Sequence, residues 1–156
     1  MGFELKDLKE EYRKFEKKYG LPEFEKINHD FDIEKIDKES EIFLKHIRKV
    51  MMEKVVNVLG FLEMLLNPMN APRMYMVYVN SVSDEDRKKI SEIYNKLSEL
   101  VLISLESEIE YREKNESEVI NKIFSVWNSV RNDLKGILDD MKKPSVNVRK
   151  EKNYFG

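Results

Sequence analysis

Between Leu105 and Val119 the chain reads LESEIEYREKNESEV, and whether this stretch continues one helix or turns between two decides the fold. Upstream, Ile90, Ile93, Leu97 and Leu100 step by three and four, the period of a helical face. Heptad extension of that row predicts Ser104, Ser107, Tyr111 and Lys114 as its next members. Downstream, Ile120, Ile123, Trp127, Val130, Leu134, Ile137 and Met141 form a second row with the same stepping but two residues out of phase. A single helix over residues 84–141 would be about 87 Å long, too long for a compact chain of this size. The quoted stretch is therefore read as the corner of an antiparallel helical hairpin, with Asn115 as the predicted turn residue and Glu118 three positions on to support the following helix.

The remaining helices are read outward from this hairpin. Ser83 precedes three acidic residues, Asp84, Glu85 and Asp86, and so predicts an N-cap whose first turn suits the helix dipole. At the other end of the chain, Leu5, Leu8, Tyr12, Phe15 and Tyr19 mark an amphipathic helix. Gly20 can stop it in the left-handed conformation, with Leu21 folding back on Phe15 and Pro22 barring continuation. Pro22 can open a short helix carrying Phe24, Ile27 and Phe31, with an interruption expected near residues 28–32 in NHDFD. From about Asp37 the pattern resumes through Phe43, Ile47, Val50, Met51, Val55, Val58, Leu62 and Leu65. Its later part, VVNVLGFLEMLL, is apolar almost all the way round and predicts a central helix surrounded by others, with Gly60 allowing a close neighbour and Glu63, if buried, needing a partner such as Arg73.

Together these readings predict an all-α fold, an antiparallel bundle of four to five helices with a C-terminal helical hairpin. Residues 1–143 are read as one domain and residues 144–156 as a flexible basic tail. The 156 residues include only five glycines and four prolines, too few for the tight turns of a sandwich or barrel. With 28 basic and 30 acidic side chains the formal charge is −2, so the total does not call for a nucleic acid. The absence of cysteine excludes disulfides, thiolate zinc sites and thiol nucleophiles, and sets a cytoplasmic expectation. MGFELKDLKEEY lacks the apolar stretch of a signal peptide, and no apolar run approaches the length of a membrane span.

Two stretches are candidates for function. In NPMNAPRMYMVY, Asn67 to Tyr78, two prolines are followed by methionines and tyrosines, and six of the eight methionines fall between residues 51 and 76. Methionine fills irregular core gaps, its commoner use, and also adapts to partners at binding surfaces. The first use predicts a crossover that covers an end of the core, with a short helix between Pro72 and Asn80. The second makes Met69, Arg73, Met74, Tyr75, Met76 and Tyr78 a partner-binding surface for a protein or a second copy.

The other candidate is acidic. Residues 106–118 hold six glutamates against Arg112 and Lys114, and Glu106, Glu110 and Glu113 share a helical face from which they could hold a hard cation such as Mg2+. Glu110 and Glu113 form E-x-x-E, and Glu34 and Asp37 form E-x-x-D. The set resembles the carboxylate sites of all-α nucleoside triphosphate pyrophosphohydrolases, with the chain order of the two motifs reversed. That resemblance implies a metal-dependent phosphohydrolase, the alternative to a noncatalytic helical interaction or assembly subunit. The histidines are read as a flanking-core residue, His46, and a loop residue, His29, because neither has a glutamate three positions before it. No cofactor is expected, and neither is a phosphate loop or a nucleophile elbow.

Overall fold

A computed structural model describes residues 5–36 and 42–143. The described residues form six α-helices and no strand: α1 Leu5–Tyr19, α2 Phe24–Phe31, α3 Phe43–Leu66, α4 Met76–Ser81, α5 Asp84–Ile109 and α6 Glu113–Lys142. Short 3-10 turns lie at Ile33–Lys35, Pro68–Asn70 and Arg73–Tyr75. The bundle thus has six helices where four to five were expected. The expectations for Asp37 and for the tail fall on residues outside the described ones.

The local stops follow from residue chemistry. Gly20 takes φ +64° and its N–H bonds the Glu16 carbonyl, and the Leu21 N–H reaches the same oxygen, closing α1 as expected. Tyr12 Oη donates to the Pro22 carbonyl at 2.6 Å, pinning the turn to the helix it follows. Burial holds that phenol well above its usual pKa. Asp32 closes α2 at φ 56°, a left-handed residue stabilised when its N–H bonds the Asn28 carbonyl at 2.8 Å. The Asn28 side-chain oxygen then accepts the Glu34 N–H. The interruption expected in NHDFD is therefore a single left-handed aspartate, and His29 stands on the exposed face of α2 and not in a loop. Ser83 caps α5 by accepting the Asp86 N–H at 3.1 Å.

The packing centre is a three-helix unit of α3, α5 and α6. Every member of the row Ile120 to Met141 is buried, as are Ile90, Ile93, Leu97, Leu100, Ser104 and Ser107 on α5. Arg48 on early α3 touches Ser104 and Glu108 on late α5 and Glu116 on early α6. The α5–α6 hairpin is therefore antiparallel, and α3 runs alongside α6 in the same direction. The corner lies at Glu110–Arg112, where Glu110 and Arg112 have extended backbones, and not at Asn115, which belongs to α6. One reason is that the inward row of α6 continues backward from Ile120 through Glu116 and Glu113, a turn of helix that apolar periodicity cannot see. Tyr111 and Lys114, expected to extend the α5 row, lie beyond the end of that helix and are exposed.

Helices α1 and α2 cover part of the face between α3 and α6. Phe15 stacks on Phe43 at 5.7 Å, Tyr19 and Lys18 bond Glu113, and Phe31 packs against Trp127 at 5.7 Å. The cover advances along the α3–α6 face from residues 43 and 113 to residues 54 and 131, where Asp30 accepts from Lys54 through its carbonyl and from Arg131 through its carboxylate. Beyond that point α3 is not surrounded, contrary to expectation. Val56, Asn57, Gly60 and Glu63 are exposed, and among the described residues a Cβ added at Gly60 would meet no atom within 4 Å outside its own helix backbone. Gly60 therefore has no close neighbour among the described residues, and the exposed Glu63 needs no buried partner.

Candidate functional site

The segment joining α3 to α5 begins at Asn67, whose N–H still bonds the Glu63 carbonyl. Pro68 opens one 3-10 turn, and Pro72, in an extended conformation, precedes the next, because proline presets its own φ but cannot continue a helical ladder. The Tyr75 N–H bonds the Pro72 carbonyl at 2.9 Å, and α4 follows directly, so residues 73–81 are helical, as expected. Their burial differs from the core-covering expectation. Val79 is the buried residue of α4, Tyr75 and Met76 are half-buried, and Arg73, Val77 and Tyr78 are exposed. Met69 is 92% exposed and Met74 72%. Met74, Val77 and Tyr78 stand at i, i+3 and i+4 and form one outward apolar face. The methionine group is thus split: Met51 and Met52 fill the core, while Met69 and Met74 face outward.

Of the three glutamates of the acidic alternative, Glu106 and Glu110 border one pocket and Glu113 turns away from it. Glu113 accepts hydrogen bonds from Tyr19 Oη and Lys18 Nζ of α1, which hold its carboxyl below the usual range. Glu110 pairs with Arg112 at 2.7 Å, and Glu106 and Glu110 line a pocket of about 550 Å3 with Asn115, Glu118 and Lys122. Among the described residues no group of three or more His, Asp or Glu is arranged to hold a metal ion. The physical reason is the position of the corner: Glu106 lies in the last turn of α5 and Glu110 in the corner that follows, while Glu113 opens α6 and faces α1. Glu34 lies in the 3-10 turn after α2 and bonds Asn28.

The buried charges lie elsewhere, at residues that apolar patterning did not single out. Arg48 is 2% exposed, and it donates through Nε to Glu116 at 2.5 Å, through one terminal nitrogen to Ser104 Oγ at 2.6 Å, and through the other to Glu108 at 2.6 Å. Burial pulls the Arg48 pKa down, but the bonds to Glu116 and Glu108 more than reverse it, so the guanidinium stays charged. Glu116 is fully buried, and its second oxygen accepts no hydrogen bond from the described residues. The cluster joins three helices at one point and fixes their register. One sequence signal pointed there: the heptad extension that placed Ser104 and Ser107 on the inward row.

A second exposed apolar face was also missed. Leu102, Leu105 and Ile109, at i, i+3 and i+7, line the outer side of α5, and Ile109 is 87% exposed. Its spacing was visible in the sequence but was masked by the stronger inward row.

No family model matches the chain, and no curated protein or solved structure matches it significantly. No helix among the described residues is long and apolar enough to cross a membrane.

Proposed function

We propose that the chain is a noncatalytic helical subunit that associates with a protein partner or with a second copy of itself in the cytoplasm, using the Met/Tyr crossover as its contact. The observation that carries this reading is the outward apolar face of Met69, Met74, Val77 and Tyr78 on a segment stiffened by two prolines. Exposed methionine is costly in water but adaptable against a partner, and a preformed turn loses little entropy on docking. Arg73 and the half-buried Tyr75 and Met76 complete the contact. The face of Leu102, Leu105 and Ile109 is a second contact of the same kind, about 25 to 40 Å from the crossover along α5.

Sedimentation velocity on the wild type and on Met74→Asp/Val77→Asp, with copurification from the native cytoplasm beside it, tests the reading. Both positions are exposed, so the variant is expected to keep its fold. An oligomer or a stoichiometric partner lost in the variant supports the crossover. A monomer without a stoichiometric partner in either protein removes it, and retention in the crossover variant with loss in Leu102→Asp/Ile109→Asp moves the contact to α5.

A further inference from the structure

Beyond the reach of α2, the face between α3 and α6 opens into a groove of about 420 Å3. Val58, Phe61 and Leu62 form one wall, and Leu134, Ile137 and Leu138 form the other. Trp127 closes the end nearest α2. This is the part of α3 whose sequence is apolar nearly all round, so the pattern that called for a neighbouring helix meets none here among the described residues.

The groove is polarised. Lys54, Arg131 and Lys135 line it, and no acidic residue among the described residues does. The first two stand at the end closed by Trp127. Lys54 is committed there, with its ammonium bonded to the Asp30 carbonyl and placed 5.0 Å from the Trp127 ring centroid and 5.5 Å from that of Phe31. Arg131 meets the Asp30 carboxylate at 3.3 Å through one nitrogen, which leaves other donors of its guanidinium available. Lys135, one turn along α6, makes no ion pair among the described residues. Two cations against the carboxylate of Asp30 leave this end with excess positive charge, to which Lys135 adds from one turn along α6, while Phe61, Ile137 and Leu138 are apolar.

We propose that the groove binds a medium-chain acyl carboxylate, with its apolar chain between Phe61 and Leu138 and its carboxylate at Arg131 and Lys135. The volume falls in the range of small-molecule sites, and an apolar lining with a few polar groups at one end is their usual composition. From Lys54 to Phe61 the wall runs about 10 Å, and a helix about 10–12 Å across would lie over such a groove and not within it. The charge at one end selects an anion over a neutral or cationic amphiphile. This inference does not rest on the crossover reading, and the two fail independently.

Trp127 is the sole tryptophan and lines the site, so its emission reports occupancy. The full chain is titrated with decanoate, decanol and decyltrimethylammonium, each kept below its micelle concentration. A saturable shift of Trp127 emission with decanoate is expected, with weaker binding of decanol and weakest binding of the cation. Lys135→Glu is expected to weaken decanoate about fivefold to tenfold and leave decanol unchanged. Leu138→Asp, at a partly exposed position, is expected to abolish the shift for both at unchanged circular dichroism. Equal binding of all three amphiphiles, or no shift with millimolar decanoate, overturns the proposal. So does an emission that depends on protein concentration alongside a sedimenting dimer, since a second copy then fills the groove.

Discussion

The two ends of the contact between α3 and α6 solve the same packing problem in opposite ways. Near the hairpin corner the space between the helices holds a charged plug, in which Arg48 meets Glu116, Glu108 and Ser104 at 2.5 to 2.6 Å. Two turns and more along the same helices, beyond Trp127, apolar side chains face each other across an open groove. Polar groups are buried where they can be paired, and apolar groups stay accessible where nothing covers them. Hydrophobic burial alone would favour the reverse arrangement. The plug confers register: a guanidinium with directed bonds to three residues tolerates little sliding of α3 against the hairpin, whereas the apolar end constrains sliding weakly.

The largest expected effect comes from breaking the plug. Arg48→Met leaves Glu116 buried without its cation and is expected to cost about 3–5 kcal/mol in urea unfolding. Arg48→Met/Glu116→Leu is expected to recover most of that loss, because removing both charges also removes their desolvation cost. If the single variant unfolds with the wild-type midpoint, the plug is not what holds this end.

A smaller effect is expected on acidification. The hydrogen bond from Arg48, assisted by Lys45 and Lys49, holds the Glu108 carboxyl down to about 2, from an ordinary value of 4.5. A depressed carboxyl stabilises the fold above its unfolded pKa, so this contribution is complete above about pH 4.5 and is lost as pH falls toward 2. Glu108 is partly exposed, and screening limits its share to about 1 kcal/mol or less. Unfolding midpoints followed from pH 6 to pH 2.5 should fall less steeply in Glu108→Gln than in the wild type, and parallel profiles would place the acid sensitivity elsewhere.

The smallest effect tests the open end. Gly60 is exposed inside α3 with none of the described residues' atoms outside its own helix backbone within 4 Å of an added Cβ, so Gly60→Ala is expected to raise stability by about 0.5–1 kcal/mol. Thermal denaturation measures it. A loss of stability would mean that another body lies against this side of α3 in solution.

Much of the site was less legible than the fold. The exposed crossover was singled out by its composition, but composition does not distinguish a methionine filling a gap from one facing water: Met52 is buried and Met69 is not. The glutamate face was drawn on one continued helix, and once the corner fell at Glu110–Arg112, Glu113 turned toward Tyr19. The groove left a trace in the sequence, the all-round apolar pattern of α3, which reads the same whether the neighbour is a helix or an unfilled space.

Taken by itself, the sequence determined the helical class, the inward rows of α5 and α6, the stop at Gly20 and the cap at Ser83. These depend on the period of a helix and on backbone chemistry within a few residues. Tertiary structure decided the rest. Arg48 and Glu116 are 68 positions apart, and each would be assigned to the surface on its own; only their mutual pairing makes burial possible. Likewise, α2 is too short to cover the whole α3–α6 face, and that length, set against helices three times as long, leaves the groove open.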